Sequence, residues 1–298
     1  MEKQSLFILP FDHRSSFLKK MFGSDGRDLT AEELNQAVDL KQTIYQGFKL
    51  AVESGAVPKA SAAILVDEQF GDAILKDAKA AGYLTCLSTE KSGQDEYAFE
   101  YGADFGVHIN KYQPTYAKAL VRYNPEGDQD LNVRQRARLK ELSDFCRQNG
   151  YGFIIEPLVP ATTEQLSCVD NDGNRYDCEL RPGLMVKMIV EMQADGIEPD
   201  VWKIEGFIET KDYELLVKQI KAGGRKANAI VLGRGADDAQ VEKWLKAGAK
   251  VSGVIGFAVG RTIFWQSLVD YKAGKISQAE AAEQISRKFQ HFYQVFVG

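Results

Sequence analysis

The stretch "RPGLMVKMIVEMQADGIEPDVWKIEG", residues 181–206, reads as one amphipathic helix feeding one buried strand. Pro182 suits the first turn of the helix, where a missing N–H costs nothing. The run "DVWKIEG" (200–206) is short and mostly apolar, the pattern of a strand covered on both faces. Seven more such runs are expected at 5–12, 62–67, 83–88, 117–123, 152–158, 229–234 and 252–260. Amphipathic stretches separate them. Eight strands alternating with helices fit a (β/α)8 barrel. A doubly wound open sheet is the alternative, but it usually carries a Gly-rich turn after its first strand. "PFDHRSSF" (10–17) is not such a turn.

Helix signals agree with this reading. Thr30 to Glu33, "TAEE", forms a capping box before a long helix that should end near Gly55. Asn132 is expected to cap the helix that stops at Gly150. No linker, internal repeat or low-complexity segment divides the chain. One barrel domain over 1–298 is therefore expected, with a C-terminal helix at about 277–296 and an irregular insert at 161–181.

Composition narrows the function classes. Apolar residues make up 44% and charged residues 27%, which places the chain among globular proteins. A net charge of −5 gives no general footprint for nucleic acid, so any anion must be met by a local cluster. No apolar run approaches the roughly 18 residues of a membrane helix. The N-terminal "MEKQSLFILPFDHR" reads as a strand rather than a signal peptide. Cys86, Cys146, Cys168 and Cys178 are scattered, as expected for free thiols in a reducing cytoplasm. His13, His108 and His291 show no metal-ligand spacing, so no metal and no other cofactor is expected.

The strand 200–206 holds Lys203, and burying an ammonium is costly unless it is paired or made neutral. Other strand ends also carry polar residues. They are Asp12, His13 and Arg14; Asp67; Glu90 and Lys91; Lys118 and Arg122; Glu156; Glu205; Arg234; and Arg261. In a barrel, the C-terminal strand ends form the active site. Residues i and i+2 share a face, so Lys203 goes with Glu205, Lys118 with Arg122 and Asp12 with Arg14. An ion-pair layer without catalysis would explain one buried pair, but explains charges at most strand ends poorly. A neutral lysine can form an imine with a ketone, and the imine then draws electrons from the adjacent C–C bond. A second cation, Lys118, would favour the neutral amine, and Glu156 could carry protons. That set describes a metal-free aldolase.

Anion binding is the second signal. "LGRGADD" (232–238) and "GFAVGRTIFW" (256–265) follow strands seven and eight, where barrels commonly bind phosphate. Gly233, Gly235 and Gly260 permit close backbone approach, while Arg234 and Arg261 supply forked donors.

The motifs "PFDHRSSF", "EKSGQDE", "VRYNPEGD", "VLGRGAD" and "GFAVGRTIFW", together with 181–206, resemble an aldolase-like domain of unknown function. In bacterial inositol breakdown that domain occurs fused behind 5-dehydro-2-deoxygluconokinase. More distantly, the chain is similar to class I tagatose-bisphosphate and sulfofructose-phosphate aldolases. The resemblance implies proton handling by Asp12 and a substrate-binding role for Asp67 in "VDEQFG". It matches Glu90 to Gly93 with an active-site loop, and Lys118 and Glu156 with strand-four and strand-five site residues. It puts the Schiff base on Lys203 and the phosphate on Gly260 and Arg261. Arg14, Lys91 and Arg122 would meet substrate hydroxyls or a carboxylate. His13 departs from the relatives' motif, which has glutamine there, and the 161–181 insert has no counterpart.

The substrate this implies is 2-deoxy-5-keto-D-gluconate 6-phosphate, cleaved to dihydroxyacetone phosphate and malonate semialdehyde. The kinase is then an expected functional partner, and a homo-oligomer is left open. The alternatives are another ketose phosphate (tagatose or fructose bisphosphate, sulfofructose phosphate), another Schiff-base or proton-transfer barrel enzyme, and a non-catalytic sugar-phosphate binding module. No kinase half is read in this chain, which weighs against a module that merely supports a fused partner.

Overall fold

The computed structural model describes residues 5–24 and 28–298. Residues 1–4, part of the stretch read as leading into the first strand, and 25–27 lie outside the described residues. Eight parallel strands close into a barrel in chain order: β1 (Leu6–Pro10), β2 (Ala62–Val66), β3 (Leu84–Ser88), β4 (Tyr116–Arg122), β5 (Gly152–Leu158), β6 (Val201–Glu205), β7 (Asn228–Leu232) and β8 (Val254–Ala258). β1 pairs with both β2 and β8, which completes the ring. The chain is a (β/α)8 barrel.

The helices follow the strands: α1 (Ser15–Phe22) and α2 (Ala31–Glu53), α3 (Glu68–Ala80), α4 (Phe105–Tyr112), α5 (Gln129–Asn149), α6 (Thr163–Ser167), α7 (Gly173–Arg175), α8 (Arg181–Ala194), α9 (Thr210–Ile220), α10 (Asp238–Gly248), α11 (Arg261–Lys272) and α12 (Gln278–Val297). The Thr30–Glu33 capping box is present in full, and Gly150 ends α5 in the left-handed conformation. Asn132 does not cap α5. Asp128 does, accepting from the Leu131 N–H, and Asn132 lies one turn inside, where its amide donates to the Asn124 carbonyl. The insert is ordered rather than irregular, folding as α6, α7 and a wide helical turn at Tyr176–Leu180. Among the described residues no helix is long and apolar enough to cross a membrane.

Strand alternation places the site. Leu6 and Ile8 of β1, Ile154 of β5 and Val201 of β6 belong to an apolar cluster inside the barrel. Two residues further along the same strands, on the same face, stand Glu156 and Lys203. Tyr116 packs against that cluster, and Lys118 is two residues further along β4. The charged layer therefore rests on an apolar plug, and burial of its members follows from that. The larger apolar cluster fills the space between barrel and helices, with Trp202 and Phe153 fully covered. Covering each such side chain contributes about 1.5–3 kcal/mol.

Candidate active site

Lys118 is 1% exposed and its ammonium meets three carboxylates. Its Nζ lies 2.9 Å from Asp12 Oδ2, 2.6 Å from Glu90 Oε1 and 2.8 Å from Glu156 Oε2. Lys203 is also buried, but it pairs with one carboxylate, its Nζ lying 2.7 Å from the same Glu156 Oε2. Each residue reaches this point from a different element: Asp12 from the turn after β1, Glu90 from the loop after β3, Lys118, Glu156 and Lys203 from the strands.

The charges set one another. Burial disfavours ionisation of Asp12, yet Lys118, Lys203 and His13 outweigh it and hold the carboxyl well below its usual range. Glu156 is likewise lowered, because Lys118 and Lys203 together exceed its burial. Glu90 goes the other way: burial, reinforced by Asp12, raises it despite Lys118. Burial also opposes charge on Lys118, but Asp12, Glu156 and Glu90 keep it protonated, with its pKa well above the ordinary lysine value. The cluster thus holds two carboxyls pushed down by the lysines and one, Glu90, pushed up by its burial.

Two adjoining cavities share Lys203, Glu156, His13 and Arg122. One, of about 170 Å³, is walled by Asp12, Arg14, Glu90, Lys91 and Lys118. The other, of about 280 Å³, is walled by Gly233, Arg234, Gly235, Gly260 and Arg261. α11 starts here without a capping side chain, so its N-terminal amides and partial positive charge face an opening suited to an anion. Gly260 cannot carry a side chain, because a Cβ would stand 2.2 Å from the Pro10 carbonyl oxygen. Gly235 has φ +74° and lies against the Arg261 guanidinium.

The two arginines differ. Arg234 sits in the left-handed region (φ +52°) and is held by Glu205 (3.1 Å) and Asp177 of the insert (2.5 Å). The Arg261 guanidinium donates to the Arg234 carbonyl (3.0 Å) and makes no carboxylate ion pair among the described residues. Burial lowers its pKa, partly offset by Glu156 and Asp12. Arg122 donates to the Gln94 carbonyl (2.9 Å) and is exposed, as is Lys91.

The structure brings together Lys203, Glu156, Lys118, Asp12, Arg14, Lys91, Arg122, Gly233, Arg234, Gly235, Gly260 and Arg261. Arg14 is mainly a brace for the Glu90 loop: it pairs with Glu100 (2.6 Å) and donates to the Glu90 carbonyl. Asp67 is not brought to either cavity, which corrects its expected role. One of its oxygens caps α3 through the Phe70 N–H (2.9 Å), and the other pairs with buried Lys41 of α2. Three residues went unassigned in the sequence. Glu90 was visible beside Lys91 at a strand end and in the loop matched to the relatives, but no role was given to it. His13 was visible at the end of the first strand and as a departure from the relatives' motif, but no role was given to it. Asp177 lay in an insert with no pattern. Among the described residues no group of three or more His, Cys, Asp or Glu side chains is placed to hold a metal ion; the ammonium of Lys118 occupies the centre of the carboxylate cluster.

Fold and site define a parallel (β/α)8 barrel with a paired-lysine, carboxylate-rich mouth. The chain belongs to the family described as "Uncharacterized protein conserved in bacteria (DUF2090)", which it matches over residues 1–297. It is 27% identical over 209 residues to tagatose 1,6-diphosphate aldolase of Listeria monocytogenes serotype 4b (strain CLIP80459), covering 68% of this chain and 56% of that protein. It is 27% identical over 169 residues to tagatose 1,6-diphosphate aldolase 2 of Streptococcus pyogenes serotype M1, covering 53% of this chain and 47% of that protein. The chain thus spans about half the length of these curated relatives. In fold it is similar to the crystal structure of Cgl0159 from Corynebacterium glutamicum (TM-score 0.57, 16% identity, 98% of this chain and 87% of that one). It is also similar to the YdjI aldolase from Escherichia coli K12 (TM-score 0.56, 12% identity, 99% and 92%).

Proposed function

We propose that this protein is a class I, metal-independent aldolase that cleaves a phosphorylated keto sugar or keto acid through an imine on Lys203. The observation that carries the reading is the asymmetry of the two lysines. Lys118 is fixed as a cation by three carboxylates, whereas Lys203 has only Glu156 among the described residues and faces both cavities.

The steps balance on these residues. Glu156 takes a proton from the Lys203 ammonium across their 2.7 Å contact. The freed amine adds to the ketone carbon, the C=O π pair moves to oxygen, and a proton passes from nitrogen to that oxygen. Glu156 returns its proton to the hydroxyl, which leaves as water, and a protonated imine remains. The Glu156 carboxylate then removes the proton of the β-hydroxyl. The C–C pair flows into the imine, an aldehyde departs and an enamine is left. Protonation of the enamine carbon by Glu156 and addition of water release the ketone product and restore Lys203. Lys118 keeps Glu156 oriented and ionised between steps, and Asp12 holds Lys118 in place. The phosphate lies at the Arg261 and Gly260 end, with Arg234 and Gly233 to Gly235 beside it, and Arg122 and Lys91 meet the other end of the substrate.

The preferred substrate is 2-deoxy-5-keto-D-gluconate 6-phosphate. The relatives' names support a second substrate of the same reaction class, a ketose bisphosphate such as tagatose 1,6-bisphosphate. Purified protein incubated with each compound and borohydride tests the reading. A mass increase on the peptide holding Lys203 is expected with a cleaved substrate. An adduct on another lysine, or turnover lost to EDTA and restored by a divalent ion, would overturn it.

A further inference from the structure

His13 stands where the two cavities meet and lines both, beside Lys203 and Glu156. Its Nδ1 is buried without a hydrogen-bond partner among the described residues. A proton on that atom would be a buried donor with nothing to accept it, so the favoured neutral tautomer carries its proton on Nε2. Burial, together with the charges of Arg261 and Lys203, lowers the ring's pKa to about 4 against the pull of Asp12 and Glu156. At neutral pH the ring is therefore uncharged and offers one N–H, on Nε2.

We propose that His13 is a catalytic residue of this site: its Nε2–H donates a hydrogen bond to the substrate's ketone oxygen as Lys203 adds to the carbonyl carbon. The inference rests on the Schiff-base reading above. A ketone phosphate with its phosphate at Arg261 and its carbonyl carbon at Lys203 reaches from one cavity to the wall that the two share, which His13 helps to form. During addition the oxygen gains the C=O π pair. A donor already aimed at it stabilises that charge without reorganising. The ring neither gains nor loses a proton: the oxygen is protonated from nitrogen and leaves with the proton from Glu156. A neutral donor also avoids a further cation beside Lys203 and Arg261.

Dihydroxyacetone phosphate and borohydride test this on the full chain, with wild type, His13→Ala and His13→Gln compared. The Ala variant should form the Lys203 adduct at least about tenfold more slowly. The Gln variant, which returns an N–H near the Nε2 position, should recover most of the rate. The chain has three histidines, so an ¹⁵N-histidine spectrum of the wild type, assigned by loss of a signal in His13→Gln, reads the ring directly. The signal should show a neutral Nε2–H tautomer and shift on addition of dihydroxyacetone phosphate. Equal adduct rates in wild type and His13→Ala, or a His13 signal unmoved while the adduct forms, would overturn the inference alone. Absence of any adduct on the wild type would overturn the Schiff-base reading and this inference with it.

Discussion

Lys118 and Lys203 hold the same oxygen: their Nζ atoms lie 2.8 and 2.7 Å from Oε2 of Glu156. Two ammonium groups on one oxygen make Glu156 the link between a fixed charge and a movable one. The remaining contacts decide which is which. Lys118 also grips Asp12 and Glu90, and among the described residues Lys203 grips no other carboxylate.

Lys203→Met should abolish turnover and borohydride trapping while leaving the fold nearly intact. Glu156 keeps Lys118 as its partner in that variant, so no buried carboxylate is left alone. Activity, adduct mass and thermal unfolding measured on one preparation check this. A large loss of stability would instead make Lys203 a structural cation.

Lys118→Met should be the destabilising change. It strips the central cation from Asp12, Glu90 and Glu156 together, and breaking a buried charge network of this kind costs about 3–5 kcal/mol. Urea denaturation would measure it. Strand ends can be read from a pattern, but the convergence of two loops and a strand on one ammonium cannot.

Arg261→Ala should weaken phosphate binding more than Arg234→Ala. Among the described residues Arg261 lacks a carboxylate partner, whereas Arg234 is already neutralised by Glu205 and Asp177. Hydrogen bonds to charged groups are worth roughly 1.5–3 kcal/mol, which corresponds to about ten- to hundredfold in affinity. Inhibition of turnover by inorganic phosphate, measured for both variants, distinguishes them. Greater loss in Arg234→Ala would reverse the assignment.

The barrel was legible because its signals are local. Each buried strand declares itself as a short apolar run, and the Thr30–Glu33 box or Gly150 marks a helix end within a few residues. The expected strands mostly overran the observed ones at their C-terminal ends, since residues such as Asp12 and Gly206 extend a run without joining its ladder. The site was legible at Lys118, Glu156 and Lys203, where alternation along one strand aims the side chain inward. It was not legible at Asp67. That residue follows β2 in the same way, but Lys41 arrives from α2, 26 positions earlier, and draws its carboxylate into the helix layer. Asp177 and Arg234, 57 positions apart, likewise meet only through the folded insert.

Asp67→Asn should therefore behave as a core mutation. The amide oxygen can still cap α3, but the Lys41 ammonium, fully covered and flanked by the Phe17 and Phe70 rings, loses its counter-charge. Stability should fall by about 3–5 kcal/mol. KM for the cleaved substrate should stay unchanged in the folded fraction. A raised KM with normal stability would return Asp67 to the substrate.

His13 makes a prediction about pH that needs no substrate. Its ring titrates near 6.5 when solvated and at about 4 in the fold. As pH falls, the unfolded chain takes up this proton first, so the contribution of His13 to stability is fully present above about pH 6.5. It is lost progressively as pH falls toward about 4. Asp12 and Glu156, lowered in the fold, lose their contributions at more acidic pH, while Glu90, raised in the fold, acts in the opposite sense. Comparing wild type with His13→Gln leaves those carboxylates in both proteins, so the difference reports the ring and its pull on Asp12. Between about pH 7 and about pH 5 the wild type should lose more unfolding free energy than His13→Gln, as read from urea midpoints at equal slope. Identical losses would mean that the ring titrates normally in the fold, and the neutral donor assigned to His13 would go with it.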